Sequence, residues 1–382
     1  MLEAFLSRAF GHNWSGLVAA GLVAVVAAIV WSVPVPGTAA VFLSGTALVL
    51  ALAAAALAAL ALRHLYLLAA WRRRFPPPGR LVDVGGYRMH LVAAGEGGPT
   101  VVWIPGSHGQ GLAFHHLHVR AAKFTRSIIF DRPGTGWSDT GPWPRGVHRE
   151  AHELEAMLRL AGEKPPFLIA AHSFGGPAAM VFAHLFPERV AGLVLYDVTT
   201  PDHVVFGKYL GRKRKVTGLS LFMVVKNAFG AHWNRLKRMP AAERAGYKNL
   251  EPVLEAMLGG ESQPRTQAAF FSALESMEKQ PLELPRGAGV LGDIPIYDVL
   301  PRKIPFEPVE VLKSLLPEIS DYVARSFLRM YRDAQLSTAR LSSKGEVRLA
   351  PEGATHALIY EEPDFSIAQV EEMVTKIRAG EG

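Results

Sequence analysis

The sequence predicts an α/β fold: a mostly parallel sheet with helices on both faces and an inserted helical cap, preceded by a transmembrane helical hairpin. Three observations carry that expectation. A long uncharged stretch opens the chain, short apolar β-branched runs alternate with helical segments after it, and nearly a hundred residues of helical patterning separate two of those runs.

The uncharged stretch comes first. From Ala9 to Leu62 there is no Asp, Glu, Lys or Arg, and His12 is the one titratable side chain. As a single helix it would measure roughly 80 Å, against ~30 Å for the bilayer core, so two spans fit where one does not. The break is written at Val33-Pro34-Val35-Pro36-Gly37-Thr38, because Pro and Gly end helices and favour a turn. Spans are therefore expected near Gly16–Val33 and Ala39–Leu62, with Trp14 and Trp31 at the headgroup levels. A signal peptide would carry one short apolar stretch behind a basic start, whereas this stretch is double. Residues 14–62 are thus expected to meet a membrane, the inner membrane if the source is bacterial.

Charges set the orientation. Arg63, Arg72, Arg73, Arg74 and Arg80 follow the second span with no acid before Asp83, and the hairpin turn is uncharged. Basic flanks stay on the cytoplasmic side, so the domain that follows should face the cytoplasm. The formal net charge of +7 owes much to this cluster, and no zinc-finger, RNA-binding or other basic-aromatic motif accompanies it, so no nucleic-acid partner is expected. The absence of Cys suits either redox compartment.

Residues 1–75 therefore read as the anchor. Residues 76–80 form a linker, since consecutive prolines prefer a stiff extended helix, and 81–382 form the second domain. Strands are expected at Leu81–Val84, Arg88–Ala93, Thr100–Ile104, Ser127–Phe130, Phe167–Ala171, Gly192–Tyr196, Ile294–Leu300 and Glu346–Ala350. The later ones are near-continuous apolar runs, as strands buried on both faces require. Helices at Arg149–Ala161 and Gly176–Phe186 supply the crossovers of a parallel sheet. The helical stretch at about 199–292 is an inserted cap, because a structureless loop of that length is uncommon in a compact domain.

The strongest chemical signal is Phe167-Leu168-Ile169-Ala170-Ala171-His172-Ser173-Phe174-Gly175-Gly176. An apolar strand runs into a sharp turn and an Ala-rich helix follows. A serine hydroxyl is a poor nucleophile unless a strained elbow exposes it beside a base, and small neighbours let strand and helix pack closely there. Ala171 stands where the usual pattern has Gly.

From Leu81 onward the chain resembles an α/β-hydrolase. Val101-Val102-Trp103-Ile104-Pro105-Gly106-Ser107 resembles that family's oxyanion strand and turn, with Pro105 in place of the usual His. The resemblance implies backbone donors at Ser107 and Phe174, with Gly106, Gly109 and Gly111 giving the turn freedom. Phe130-Asp131-Arg132-Pro133-Gly134-Thr135-Gly136-Trp137-Ser138-Asp139 resembles the family's Asp-Arg-Pro-Gly-x-Gly-x-Ser segment, where Asp131 and Asp139 should satisfy turn amides. His356, directly after the last expected strand, stands where the family places its base. Of 14 histidines, position selects it. The adjacent His172 should point away from its neighbour.

The acid is less direct. The family usually carries it just past the strand at Ile294–Leu300, but Leu300-Pro301-Arg302-Lys303-Ile304-Pro305 holds none. Some members place it one strand earlier, which selects Asp197, with Glu307 and Asp298 as alternatives. The resemblance then implies acyl transfer to water. A carboxylic ester, lipid-like in view of the membrane stretch, is the first choice of substrate. A small amide or peptide is the second, and a non-catalytic binding protein of the same fold is the rival. Serine at the elbow disfavours the dehalogenase and epoxide-hydrolase branches, which use Asp there. No metal-ligand spacing or dinucleotide fingerprint occurs, so no cofactor is expected. The cap carries nine Lys or Arg and no acid between Gly207 and Arg238, a pattern that suits either an anionic membrane surface or a solvated helix face.

Overall fold

Two helices, α1 (Ser15–Ser32) and α2 (Thr38–Arg74), open the described chain. The structure is a computed structural model that describes residues 11–382 apart from 108, 201, 203–215, 234, 280–283, 305, 306, 308, 316–318 and 382. Of the basic cap segment, Lys208 and Arg212 to Lys215 lie outside the described residues. Ala20 and Ala27 of α1 and Ala47, Ala54 and Ala61 of α2 are buried, a seven-residue repeat of small side chains that lets two helices approach closely. Leu22, Val41, Phe42 and Leu52 are exposed. Both helices are long and apolar enough to cross a membrane. The second runs past the expected Leu62 to Arg74, because Arg, Leu and Ala are strong helix formers and charge alone does not end a helix.

The rest is built on one eight-stranded sheet: β1 (Arg80–Asp83), β2 (Arg88–Ala94), β3 (Thr100–Ile104), β4 (Ser127–Phe130), β5 (Phe167–His172), β6 (Val190–Tyr196), β7 (Ile296–Leu300) and β8 (Gly345–Leu349). Their order is β1-β2-β4-β3-β5-β6-β7-β8. The first two pairings are antiparallel and the others parallel. Two cores line its faces. One includes Val102, Ile104, Ile169, Ala171 and Leu195, the other Val101, Trp103, Leu168, Ala170 and Val194, the period-two alternation of a sheet covered on both sides.

Helices α3 (His115–Ala121), α4 (Val147–Leu160) and α5 (Gly176–Leu185) lie between the early strands. Between β6 and β7 come α6 (Val216–Ala228), α7 (Glu251–Glu261) and α8 (Pro264–Lys279), the body of the expected cap. A second helical excursion, including α9 (Asp321–Leu336), separates β7 from β8, and α10 (Pro363–Arg378) ends the chain.

The first helices are not a free tether. Trp71 near the end of α2 is buried, donates Nε1–H to the Ala256 carbonyl of α7 at 3.1 Å, and stacks on Trp137 with ring centroids 5.2 Å apart. Trp233 of the cap donates to His64 Nδ1 at 2.8 Å. The expected stiff spacer is pinned as well: Trp137 Nε1 donates to the Phe75 carbonyl at 3.0 Å, and His90 Nε2 contacts the Pro78 carbonyl. A proline-rich stretch sets local stiffness, but aromatic neighbours far along the chain decide whether it stands clear of the domain.

Candidate active site

The turn that carries Ser173 follows directly from strand register. In the parallel pairing of β5 with β6, His172 lies opposite Tyr196, so Ser173 and Asp197 are the first residues beyond two adjacent strands. Both have left-handed backbones, with φ of 53° and 41°, a conformation that costs an L-residue of order 1 kcal/mol or more and turns the chain sharply. The turns are tied together, since Thr199 N–H donates to the Ser173 carbonyl at 2.9 Å. Gly175 is required by space: a Cβ there would sit 2.5 Å from the Ile104 carbonyl.

His356 arrives on the loop after β8. Its Nε2 lies 2.9 Å from Ser173 Oγ and its Nδ1 lies 2.6 Å from Asp197 Oδ2. The structure thus brings Ser173, His356 and Asp197 into one relay. It does not bring the two alternative acids there. Asp298 sits inside β7 opposite Leu195, fully buried, and Glu307 is exposed, accepting from the Ile304 amide at 3.3 Å. Burial alone would raise the Asp197 carboxyl, but hydrogen bonds from His356 and Gln335 outweigh it and hold the group below the usual carboxylate range. Burial pushes Asp298 well above that range, so it is neutral where Asp197 is charged.

Two further residues support the relay. Gln335, near the end of α9, donates Nε2–H to Asp197 Oδ1 at 2.5 Å. Nothing in the sequence marks it, because a single amide on an amphipathic helix has no motif. His172 is tied to the His356 backbone instead: its Nε2 lies 2.8 Å from the His356 carbonyl. Burial and the neighbouring His356 lower its pKa to about 4, so it is neutral and donates that proton, steadying the loop that carries His356.

The two oxyanion candidates come from segments that meet at Ser173. Ser107 follows Gly106, whose Cβ position is 3.3 Å from Ser173 Cβ. Phe174 is the middle residue of the short helical turn Ser173–Gly175. Gly109 and Gly111 provide space rather than unusual backbone angles: a Cβ on Gly111 would meet the Phe130 amide at 2.7 Å. Beneath them, Asp131 accepts from the Gly111 and Trp137 amides, each at 2.9 Å, and Asp139 accepts from the Arg88 amide at 3.0 Å. Arg265 of α8, buried, donates to the carbonyls of Gly136 and Ser138, each at 2.7 Å, fastening the cap to this loop.

Ser173 and His356 open onto a cavity of about 240 Å³ lined also by Gln110, Arg235, Tyr247, Glu261 and Tyr360. Among the described residues no group of His, Asp and Glu is placed to hold a metal ion.

Comparison with known proteins gives a consistent picture. The Alpha/beta hydrolase family matches residues 101–369. An uncharacterized protein of Bacillus subtilis, YbdG, is 30% identical over 146 residues, 37% of this chain and 45% of that protein. The chain spans less than half the length of the first curated relatives it matches. Among solved structures, a thermophilic esterase from Thermogutta terrifontis is 17% identical with a TM-score of 0.51, covering 78% of this chain and 98% of its own. An epoxide hydrolase from Bacillus megaterium is 13% identical with a TM-score of 0.56, covering 78% and 100%. At these identities the likeness is one of fold.

Proposed function

Because the chain belongs to the Alpha/beta hydrolase family, we propose that it is a serine hydrolase that cleaves a carboxylic ester through an acyl-enzyme, tied to a membrane by its first two helices. The observation that carries the reading is the relay from Ser173 through His356 to Asp197, at 2.9 and 2.6 Å. Both separations are hydrogen-bond distances, and the order nucleophile, base, orienting acid is the one acyl transfer needs.

Ser173 Oγ attacks the ester carbonyl while His356 Nε2 takes its proton. The amides of Ser107 and Phe174 receive the oxyanion. Collapse of the tetrahedral adduct breaks the carbonyl–oxygen bond, and His356 returns the proton to the departing alcohol. A water then gives its proton to His356 and attacks the acyl-Ser173 ester; collapse breaks the acyl–Oγ bond, His356 returns the proton to Ser173 Oγ, and the acid leaves. Asp197 holds the Nδ1–H tautomer throughout and stabilises the imidazolium that forms in each half-reaction.

Two apolar helices, the second ending in a cluster of arginines, support placing the domain on the cytoplasmic face. The nucleophile is tested by labelling with a fluorophosphonate, which reacts with activated serines. Ser173 should be the modified residue, and Ser173→Ala should abolish labelling and cut hydrolysis on the order of 10³-fold or more. Labelling at another serine, or most activity surviving in Ser173→Ala, would remove the reading.

A further inference from the structure

The catalytic cavity is small and polar where an ester hydrolase for long chains needs an apolar trough. Its 240 Å³ corresponds to roughly eight waters at ~30 Å³ each. Arg235 and Glu261 line it together with Ser173 and His356. Arg235 Nη1 donates to Glu261 Oε2 at 2.9 Å, and both side chains keep accessible surface, 38% and 20%. The pair is therefore part of the cavity wall, not sealed beneath it.

We infer that Arg235 is a specificity-determining residue that binds an anionic group of the substrate, a carboxylate or a phosphate; this rests on the ester-hydrolase reading above. A guanidinium offers five N–H donors in a planar fork and stays charged at any working pH, which suits it to planar oxyanions. Glu261 aims it. Burial pushes the Glu261 carboxyl up to about 7, against the pull of Arg235, so near neutrality the pair leaves net positive charge on the cavity wall. The described part of the same segment, residues 216–238 apart from 234, adds Lys226, Lys237 and Arg238 and carries no acid. A cationic substrate group would meet that field as repulsion, and an anionic one as steering. An arriving anion competes with Glu261 for Arg235 and favours its protonation, so selectivity for anions should strengthen as pH falls through the neutral range.

The anion can belong to a soluble acid ester or to a lipid headgroup, and paired substrates separate these sources. With full-length enzyme in detergent, kcat/KM is measured for the mono-p-nitrophenyl ester of succinic acid and for p-nitrophenyl butyrate, which share a chain length. In vesicles of neutral phospholipid, a monoacylglycerol phosphate is compared with the matching monoacylglycerol. In at least one arm the anionic substrate should be preferred by about 10- to 100-fold, the worth of one charge-assisted hydrogen-bond pair. Arg235→Gln should erase that preference, Arg235→Lys should keep part of it, and Glu261→Gln should increase it and remove its pH dependence. Taking the ratio of two substrates cancels the titration of His356. The fluorophosphonate labelling rate of Arg235→Gln should match wild type, because that probe carries no anionic group. Lack of preference in both arms, or preference that survives Arg235→Gln, overturns the inference. So does a loss of labelling as large as the loss of anionic-ester hydrolysis, since that would make Arg235 structural. Absence of labelling in the wild-type enzyme would instead remove the hydrolase reading on which the inference stands.

Discussion

Replacing Trp71 with alanine tests whether the end of α2 supports the proposed active site or serves only as the proposed tether. Trp71 is 5% exposed, and the Cβ position of Gly259 on α7 lies 2.2 Å from its ring. Only glycine at 259 leaves room for the indole this close to that helix. The same helix contributes Met257, Leu258 and Glu261 to the catalytic cavity, and Gln110 wedges against Gly260 from the other side. Truncating a buried tryptophan to alanine costs about 3–5 kcal/mol, and losing the bond to the Ala256 carbonyl adds about 1 kcal/mol. That is a large part of the 5–15 kcal/mol typical of a whole domain. Because the contact joins α2 to the cavity wall, the loss should appear first as a displaced α7. Trp71→Ala is expected to lower kcat/KM on a soluble ester by about 10- to 100-fold at a temperature where the protein remains folded. Trp71→Phe, which keeps a ring and loses one hydrogen bond, should lose no more than about tenfold. Gly259→Ala should resemble Trp71→Ala, since its methyl group must push the indole away. The assay is steady-state hydrolysis beside a thermal melt of the same detergent-solubilised sample. A lower melting temperature with unchanged kcat/KM in the folded protein would refute the reasoning and leave α2 as a tether alone.

Other outcomes follow from the relay and its surroundings. Asp197→Asn should cut turnover by about 10⁴-fold, whereas Glu307→Gln should leave it unchanged; a severe loss in the second and a mild one in the first would move the acid. Asp298→Asn should raise stability at pH 7 with little effect on rate. The buried Asp298 carboxyl stays protonated in the fold but ionises in the unfolded chain above ~3.9, so the native state loses ground as pH rises, and a melt that falls on substitution would contradict this. His116, His118 and His172 are each lowered by burial from 6.5 to about 4. The stability they contribute is present above pH 6.5 and lost between 6.5 and 4, as the unfolded chain takes up protons that the fold refuses. Thermal melts should therefore fall across that window, and a flat profile would count against it. Protease added to sealed right-side-out cells should leave the domain intact if it faces the cytoplasm, and cleavage would reverse the orientation.

The central strands were legible because burial on both faces writes itself as unbroken apolar runs, whereas the edge strands β1 and β8 are largely exposed. Thr100–Ile104 and Ser127–Phe130 match their expected limits, and the other strands shift by a residue or two where pairing rather than composition sets the end. Docking of the first helices was not legible. Arg72, Arg73 and Arg74 read as a basic flank and Trp71 beside them carried no signal, while a residue that Trp71 packs against is Gly259, whose significance lies in the side chain it lacks.

The site divides along the same line. Ser173 is marked by small neighbours that a tight elbow needs, and His356 by its place after the last strand. Asp197 emerged only because the following strand end carries no acid. What separates it from Asp298 is depth, which sequence does not encode directly. Asp197 stands one residue past the end of β6, where the backbone turns out of the sheet and the side chain can reach both His356 and Gln335. Asp298 stands within β7, where parallel pairing on both sides fixes its direction and two packed layers exclude water. The same carboxylic acid is therefore a charged partner in one place and a neutral, desolvated group in the other. A base can be oriented only by the first, because an imidazolium gains nothing from a carboxyl that keeps its own proton.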